Sequence, residues 1–283
     1  MERTGETWLI YNGASGSHDE DALRDLVAAL GAAGYDPARV LDCKDGTPNA
    51  DEAKRAGLRA LVIHGGDGTL SRTIGKLEGF SGEILPLPGG TFNLLARQMF
   101  GERTSLEIAS LLGSGALQVQ RRACIRGEGV LALSELLAGP GAKWADVREQ
   151  MREANIGEVI AKGWDAAATS TVGPMILLSD PAVGRPDGYA GVRLCPTPAG
   201  IAIEGYAAEG LGNYVQQGIA ILKRDFREGP HDELGDAPRV SCRSADEAAI
   251  PLMVDGERSE GAGYLTFSLD TLDCNLLGPV NGR

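Results

Sequence analysis

Ala60-Leu61-Val62-Ile63-His64-Gly65-Gly66-Asp67-Gly68-Thr69 is the stretch that decides the fold. A short apolar run stopped abruptly by glycines reads as a buried strand, and Thr69 to Leu77 behind it can be helical. The same unit recurs on both sides. Glu83 to Leu87 reads as a strand stopped by Pro88-Gly89-Gly90, with a helix over Asn93 to Phe100. Upstream, Thr7 to Tyr11 ends at Asn12-Gly13-Ala14-Ser15-Gly16, and Ser17 with Glu20 has capping-box spacing. Leu23, Leu26, Val27 and Leu30 then mark one helix face, stopped by Gly31 and Gly34. Thr104 with Glu107 heads a further short helix carrying Leu106, Ile108, Leu111 and Leu112. Strands alternating with helices predict a parallel sheet covered on both faces, an α/β domain over residues 1–120.

Beyond residue 120 the texture changes. Gln118 to Ile125 and Gly129 to Leu133 read as strands, and Lys143 to Lys162 as one long charged helix. Short β-type runs follow at Met175–Leu178, Val192–Cys195, Ile201–Ile203, Val240–Arg243, Leu252–Val254, Tyr264–Leu269 and Cys274–Leu277, separated by Gly, Pro and Asp. This predicts a mainly antiparallel, β-sandwich-like domain over 121–283, whose last few residues can return to the first domain.

Composition narrows the function. The chain has 283 residues, of which 43% are apolar and 23% charged, ordinary for a globular protein of about two domains. Glycine is in excess, 40 residues, about twice the usual ~7%. With 27 Lys and Arg against 39 Asp and Glu, the formal net charge is −12. That argues against a nucleic-acid partner, which would call for a basic face. Cys43, Cys124, Cys195, Cys242 and Cys274 are odd in number and never in CxxC spacing, which predicts free thiols in a reducing compartment. Met1 to Glu6 is polar and no run of ~18 apolar residues occurs, so a cytoplasmic protein with no transmembrane segment is expected.

Three glycine-bearing turns at three strand ends carry the chemistry. In a doubly wound sheet they lie together at the carboxyl edge, where ligands bind. Glycines let the backbone turn N–H groups toward phosphate, and a helix N-terminus adds its dipole. Asp67, in the middle of one turn, would repel phosphate, so its role is to hold a metal-bound water or accept a proton. Later, Val254-Asp255-Gly256-Glu257 places two carboxylates two positions apart, which on a strand point to one side. Read alone, it is also a plain Asp-Gly hairpin turn. His18, His64 and His231 have no metal-binding spacing, and His64 reads as a strand-end packing residue.

Gly65-Gly66-Asp67-Gly68-Thr69 with Thr91 in a Pro-Gly-Gly-Thr-x-Asn turn resembles the diacylglycerol kinase catalytic domain, of the superfamily that holds sphingosine and NAD kinases. Asn12 to Gly16 and Asp255-Gly256-Glu257 are similar to two further motifs of its lipid kinases. Arg148-Glu149 through Arg152 resembles a less specific bacterial segment. The resemblance implies an ATP-dependent lipid kinase, with Mg²⁺, that phosphorylates a hydroxyl of a neutral lipid such as diacylglycerol at the membrane surface. It implies nucleotide enclosed between the two domains. The residues matched for binding are Asn12, Ser15, Gly16, Gly65, Gly66, Asp67, Gly68, Thr69, Leu70, Ser71, Gly90, Thr91 and Asn93. Glu257, with Asp255 beside it, would take the hydroxyl proton, and Asp67 would complete the acidic network. Peripheral association with the inner membrane face and a homodimer are both compatible with the sequence.

The chain departs from that pattern in three places. Leu94 stands where the family turn usually has an acid. Thr197-Pro198-Ala199-Gly200-Ile201 is the nearest match to an Asp-Asp-Gly-Leu segment and lacks its acids, so no structural metal is assigned. The family's nucleotide-contacting Thr has no counterpart, Thr47 being too close to Gly65. Two other readings stay open: a non-lipid kinase of the NAD-kinase type, and a nucleotide-binding sensor or partner protein without catalysis. The basic clusters Arg121-Arg122 and Lys223 to Arg227 read as solvated faces; Phe92 and Phe226 could line an acyl site or simply be core.

Overall fold

The computed structural model describes residues 5–13, 20–140, 174–207 and 231–280. The chain divides into two units: residues 1–122 with 271–283, and residues 123–270.

In the first unit, β1 (Glu6–Tyr11), β2 (Pro37–Asp42), β3 (Leu58–Gly65), β4 (Glu83–Pro88), β5 (Leu117–Gln120) and β17 (Asn275–Pro279) form one sheet in the order β2-β1-β3-β4-β17-β5. All neighbours are parallel except β17 and β5. β3 is apolar almost throughout, and Leu61, Val62 and Ile63 are fully buried, as a strand covered on both faces requires. The helices are α1 (Glu20–Ala32), α2 (Ala50–Arg55), α3 (Asp67–Lys76), α4 (Leu94–Phe100) and α5 (Ser105–Gly113). From β1 the chain steps outward to β2, and from β3 it steps the opposite way to β4. Right-handed crossovers therefore put α1 and α3 on opposite faces. Correspondingly, α1 packs with α5 and α3 with α4.

Local chemistry sets these boundaries. Thr104 and Glu107 form both bonds of the expected capping box at α5. Asn49 and Glu52 form another at α2, a helix whose single turn and a half is too short to give a periodic signal. Gly31 does not stop α1, which runs on to Ala32. The predicted single strand from 118 to 125 is two, because Arg121 and Arg122 bend the chain out of one unit into the other. Arg121 pairs with Asp273 at 3.1 Å and Arg122 donates to Gln98, so both arginines are tied within the first unit rather than forming a free basic face. The last strand leaves the β-rich unit and inserts between β4 and β5.

The second unit holds two antiparallel sheets. One has the order β12-β11-β10-β8-β14-β15, from β8 (Leu136–Ala138), β10 (Gly191–Pro196), β11 (Ile201–Tyr206), β12 (Asp232–Ala237), β14 (Ile250–Val254) and β15 (Glu257–Gly261). The other runs β7-β6-β16-β13-β9, from β6 (Ala123–Gly127), β7 (Val130–Ala132), β9 (Ile176–Asp180), β13 (Arg239–Ser244) and β16 (Tyr264–Thr271). Leu136, Val192, Leu194, Ile201 and Leu252 of the first sheet share one core with Ile125, Val240, Cys242, Leu265 and Phe267 of the second. That is the interior of a sandwich. All five cysteines are free; Cys124, Cys242 and Cys274 are buried, and burial pushes the Cys242 thiol up to about 12. The predicted helix at 143–162 lies outside the described residues.

Candidate active site

The glycine turns of the first unit are built by close backbone approach. Gly65 stands opposite Pro88 at the ends of β3 and β4, and the Gly89 N–H donates to the Gly65 carbonyl at 3.0 Å. A Cβ on Gly90 would lie 2.5 Å from the Cα of Gly66, and one on Gly89 2.8 Å from the Gly65 nitrogen. No side chain fits at either position. Gly66 is the N-cap of α3 and has no side chain with which to cap that helix's first turn.

Polar side chains then tie the turns together. Asn12 Nδ2 donates to Thr69 Oγ1 at 3.3 Å, joining the end of β1 to the start of α3. Asn93 sits in the left-handed region at φ 53°, which Asn tolerates better than most residues. Its Oδ1 accepts from the Gly90 N–H at 2.8 Å and its Nδ2 donates to the Gly90 carbonyl at 2.9 Å. Asn93 therefore braces the second turn from within. Asp67, at the first position of α3 and 9% exposed, accepts from the Leu95 N–H at 3.2 Å, linking α3 to α4. Leu70 is fully buried, and its N–H bonds to the Gly66 carbonyl. Its predicted place among nucleotide-facing residues is corrected on that ground: both side chain and amide are spent inside the fold. Gly68, Thr69 and Ser71 are half-buried and Thr91 is exposed; Ser15 and Gly16 lie outside the described residues.

Asp42, at the end of β2, has no motif to announce it. Its carboxylate accepts from the Lys44 N–H at 3.1 Å and pairs with Lys44 Nζ at 3.0 Å. The Lys44 amide first, with the Gly13 amide among the further causes, holds its pKa below the usual carboxylate value. A Cβ on Gly13 would come within 2.5 Å of Asp42 Oδ2, so Asp42 supports the first glycine turn from below. His64 is half-buried at the end of β3, its ring against Gly89.

In the second unit, Asp255 and Gly256 form the two-residue turn between β14 and β15, at φ 46° and 81°, the conformation of a tight hairpin. The turn separates the two acids. Asp255 is 1% exposed, whereas Glu257 opens β15 and is exposed. The expectation that both carboxylates point to one side is corrected, and the other reading of the motif, an Asp-Gly hairpin turn, is what the structure has. Asp255 Oδ1 accepts from the Ser134 N–H at 2.8 Å, Ser134 Oγ at 2.6 Å and the Glu135 N–H at 3.0 Å, and Oδ2 from the Leu133 N–H at 2.7 Å. A carboxylate so surrounded by donors anchors the turn to residues 133–135.

Beside it runs a buried charge network that sequence reading missed. Glu135 Oε2 accepts from Arg193 Nε at 2.9 Å, Arg193 Nη1 reaches Glu204 at 3.0 Å, and the Tyr206 hydroxyl donates to Glu204 at 2.7 Å. Arg193 and Glu204 face each other across β10 and β11, on the sheet face opposite the sandwich core. Burial and then the Glu204 bond raise the Tyr206 pKa. The Thr197 to Gly200 segment is simply the turn between β10 and β11, closed by Thr197 Oγ1 donating to the Gly200 carbonyl at 2.9 Å. Among the described residues no group of three His, Cys, Asp or Glu side chains could hold a metal ion. Arg148 to Arg152, Lys223 to Arg227 and Phe226 lie outside the described residues.

Known proteins agree with this architecture. The family profile described as "Diacylglycerol kinase catalytic domain" matches residues 6–121. A protein of Chromohalobacter salexigens named "Probable lipid kinase YegS-like" is 38% identical over 98 residues, a stretch covering 32% of this chain and 31% of that protein. The match thus spans about a third of that relative's length. A crystal structure of a diacylglycerol kinase from Bacillus anthracis str. Sterne superposes with a TM-score of 0.60 at 13% identity, covering 99% of this chain and 98% of that one. Another structure from the same organism gives 0.63 at 15% identity, covering 100% and 98%. At such identities the structures speak for the fold alone, and the profile and the relative show a likeness over part of the chain. Over residues 6–121, the chain is similar to the diacylglycerol kinase catalytic-domain family.

Proposed function

We propose that the protein is an ATP-dependent lipid kinase that transfers the γ-phosphate to a hydroxyl of a neutral lipid such as diacylglycerol. The observation that carries this reading is the pair of side-chain-free turns at adjacent strand ends, where a Cβ on Gly90 would lie 2.5 Å from the Cα of Gly66. Such a cradle, with a glycine at the N-cap of α3, suits the phosphates of a nucleotide. The residues for ATP are Asn12, Gly65, Gly66, Gly68, Thr69 and Ser71 with Gly90 and Thr91, and Asn93 as the brace of the second turn. Mg²⁺ bound with ATP would neutralise phosphate charge, held mostly by phosphate oxygens and one or two carboxylates, of which Asp67 is the candidate. Glu257, exposed and outside the Asp255 anchor, takes the proton of the acceptor hydroxyl. Positioning and charge neutralisation do most of the work in such transfers, and a placed base adds about 10²–10⁴-fold. No helix among the described residues is long and apolar enough to cross a membrane, so access to a lipid would be from the surface.

The reading of a nucleotide binder without catalysis keeps a specific support: Leu94 replaces the usual acid, and one oxygen of Asp67 is engaged by the Leu95 N–H. Transfer of labelled γ-phosphate from Mg-ATP to a mixed lipid extract separates the two, run beside Asp67→Asn and Glu257→Gln. The lipid-kinase reading expects a labelled lipid that disappears in both variants. ATP binding with no labelled acceptor would replace it by the silent binder, and label in NAD alone by an NAD-kinase-type activity.

A further inference from the structure

We propose that Glu135 is a positioning residue, which ties the hairpin that presents Glu257 to the buried Arg193. The inference rests on the assignment of Glu257 as proton acceptor, and it adds a residue that belongs to none of the sequence motifs.

Glu135 meets the hairpin at two backbone points. Its N–H donates to Asp255 Oδ1 at 3.0 Å, and its carbonyl accepts from the Asp255 N–H at 3.0 Å. Its side chain turns the other way, 2% exposed, and gives Oε2 to Arg193 Nε at 2.9 Å. One residue therefore couples the turn to the body of the sheet. That turn needs support, because Asp255 is a non-glycine residue held at φ 46°. The bonds from Leu133, Ser134 and Glu135 over-determine it, and the Glu135–Arg193 pair in turn fixes where those donors stand.

The network also has a built-in redundancy that makes the idea testable. Arg193 is shared by two carboxylates, Glu135 and Glu204. Removing the charge of Glu135 leaves Arg193 paired with Glu204, so Glu135→Gln avoids an unpaired buried cation. Glu204→Gln is the matching control: it loses one carboxylate from the same guanidinium but none of the hairpin contacts.

Two readouts decide it. The first is steady-state phosphate transfer. Glu135→Gln is expected to lower kcat by about 10- to 100-fold with KM for ATP within about twofold, since small misplacements of a reacting group have effects of that order. Glu204→Gln is expected to stay within about threefold of wild type. Equal losses in both variants, or wild-type kcat in Glu135→Gln, would overturn the proposal. The second readout is amide hydrogen exchange at Leu133, Ser134 and Asp255, which needs no activity. Glu135→Gln should speed exchange there while the β10 and β11 amides stay protected; unchanged exchange overturns the proposal. If the wild type itself transfers no phosphate, the kinase reading fails, and exchange still decides whether Glu135 holds the hairpin.

Discussion

The glycine turns of the α/β unit and the Asp255 hairpin of the β-rich unit solve the same problem, holding a chemical group in place, with opposite materials. At Gly65-Gly66 and Gly89-Gly90 the chain does it by omission. Side chains are absent so that two backbones can touch, and the Gly89 N–H extends the sheet ladder past its last residue. At Asp255 the chain does it by addition, with one buried carboxylate collecting three amides and a hydroxyl. The first construction fails when an atom is inserted, and the second when one is removed.

The sharpest way to break the contrast is Asp255→Ala. It strands the N–H groups of Leu133, Ser134 and Glu135 and the Ser134 hydroxyl without their buried acceptor, and should lower stability by about 3–5 kcal/mol, within the range for breaking a buried charged contact. Urea unfolding measures it; a loss below about 1 kcal/mol would mean the carboxylate is not the anchor. Next comes Gly90→Ala, which inserts a methyl group against the Gly66 backbone. Overpacking of that kind is expected to lower stability by about 1–3 kcal/mol. It should weaken ATP binding more than tenfold, because the two turns must part. Calorimetric titration checks the second effect, and unchanged affinity would show that the turns do not hold the nucleotide.

How far these two regions could be read in advance differs for the same physical reason. Glycine turns announce themselves locally, since Gly66, Asp67 and Thr69 are neighbours in sequence and the strand before them is apolar throughout. The alternation of strand and helix was legible on the same basis, apart from β2 and α2, which are short and largely exposed. The anchor of Asp255 was not legible, because its donors come from Leu133 to Glu135, far away in the chain. Glu135, Arg193 and Glu204 belong to no sequence motif, so nothing local marks them as partners. Asp255-Gly256 could be read either as part of a strand or as a hairpin turn, and the positive φ at both decides for the turn, which separates Asp255 from Glu257. The return of the last strand to the first sheet was anticipated, but its place between β4 and β5 leaves no local mark.

A smaller effect sharpens the β-rich side. Burial, first of all, raises the pKa of Tyr206 and of Tyr189. The unfolded chain therefore releases these protons at lower pH than the folded one, so their contribution to stability is intact below about pH 10 and is lost as pH rises beyond it. Melting temperature between pH 9 and about 11 should fall less steeply in Tyr206→Phe than in wild type; parallel curves would contradict the assigned shift.

The most direct test of the whole account is the turnover of Glu257→Gln, measured together with its melting temperature. If Asp255 holds the hairpin and Glu257 does the chemistry, phosphate transfer drops by about 10²–10⁴-fold. Stability should meanwhile stay within about 0.5 kcal/mol of wild type, as expected for an exposed position. Wild-type turnover in this variant would contradict the account and remove Glu257 as the proton acceptor.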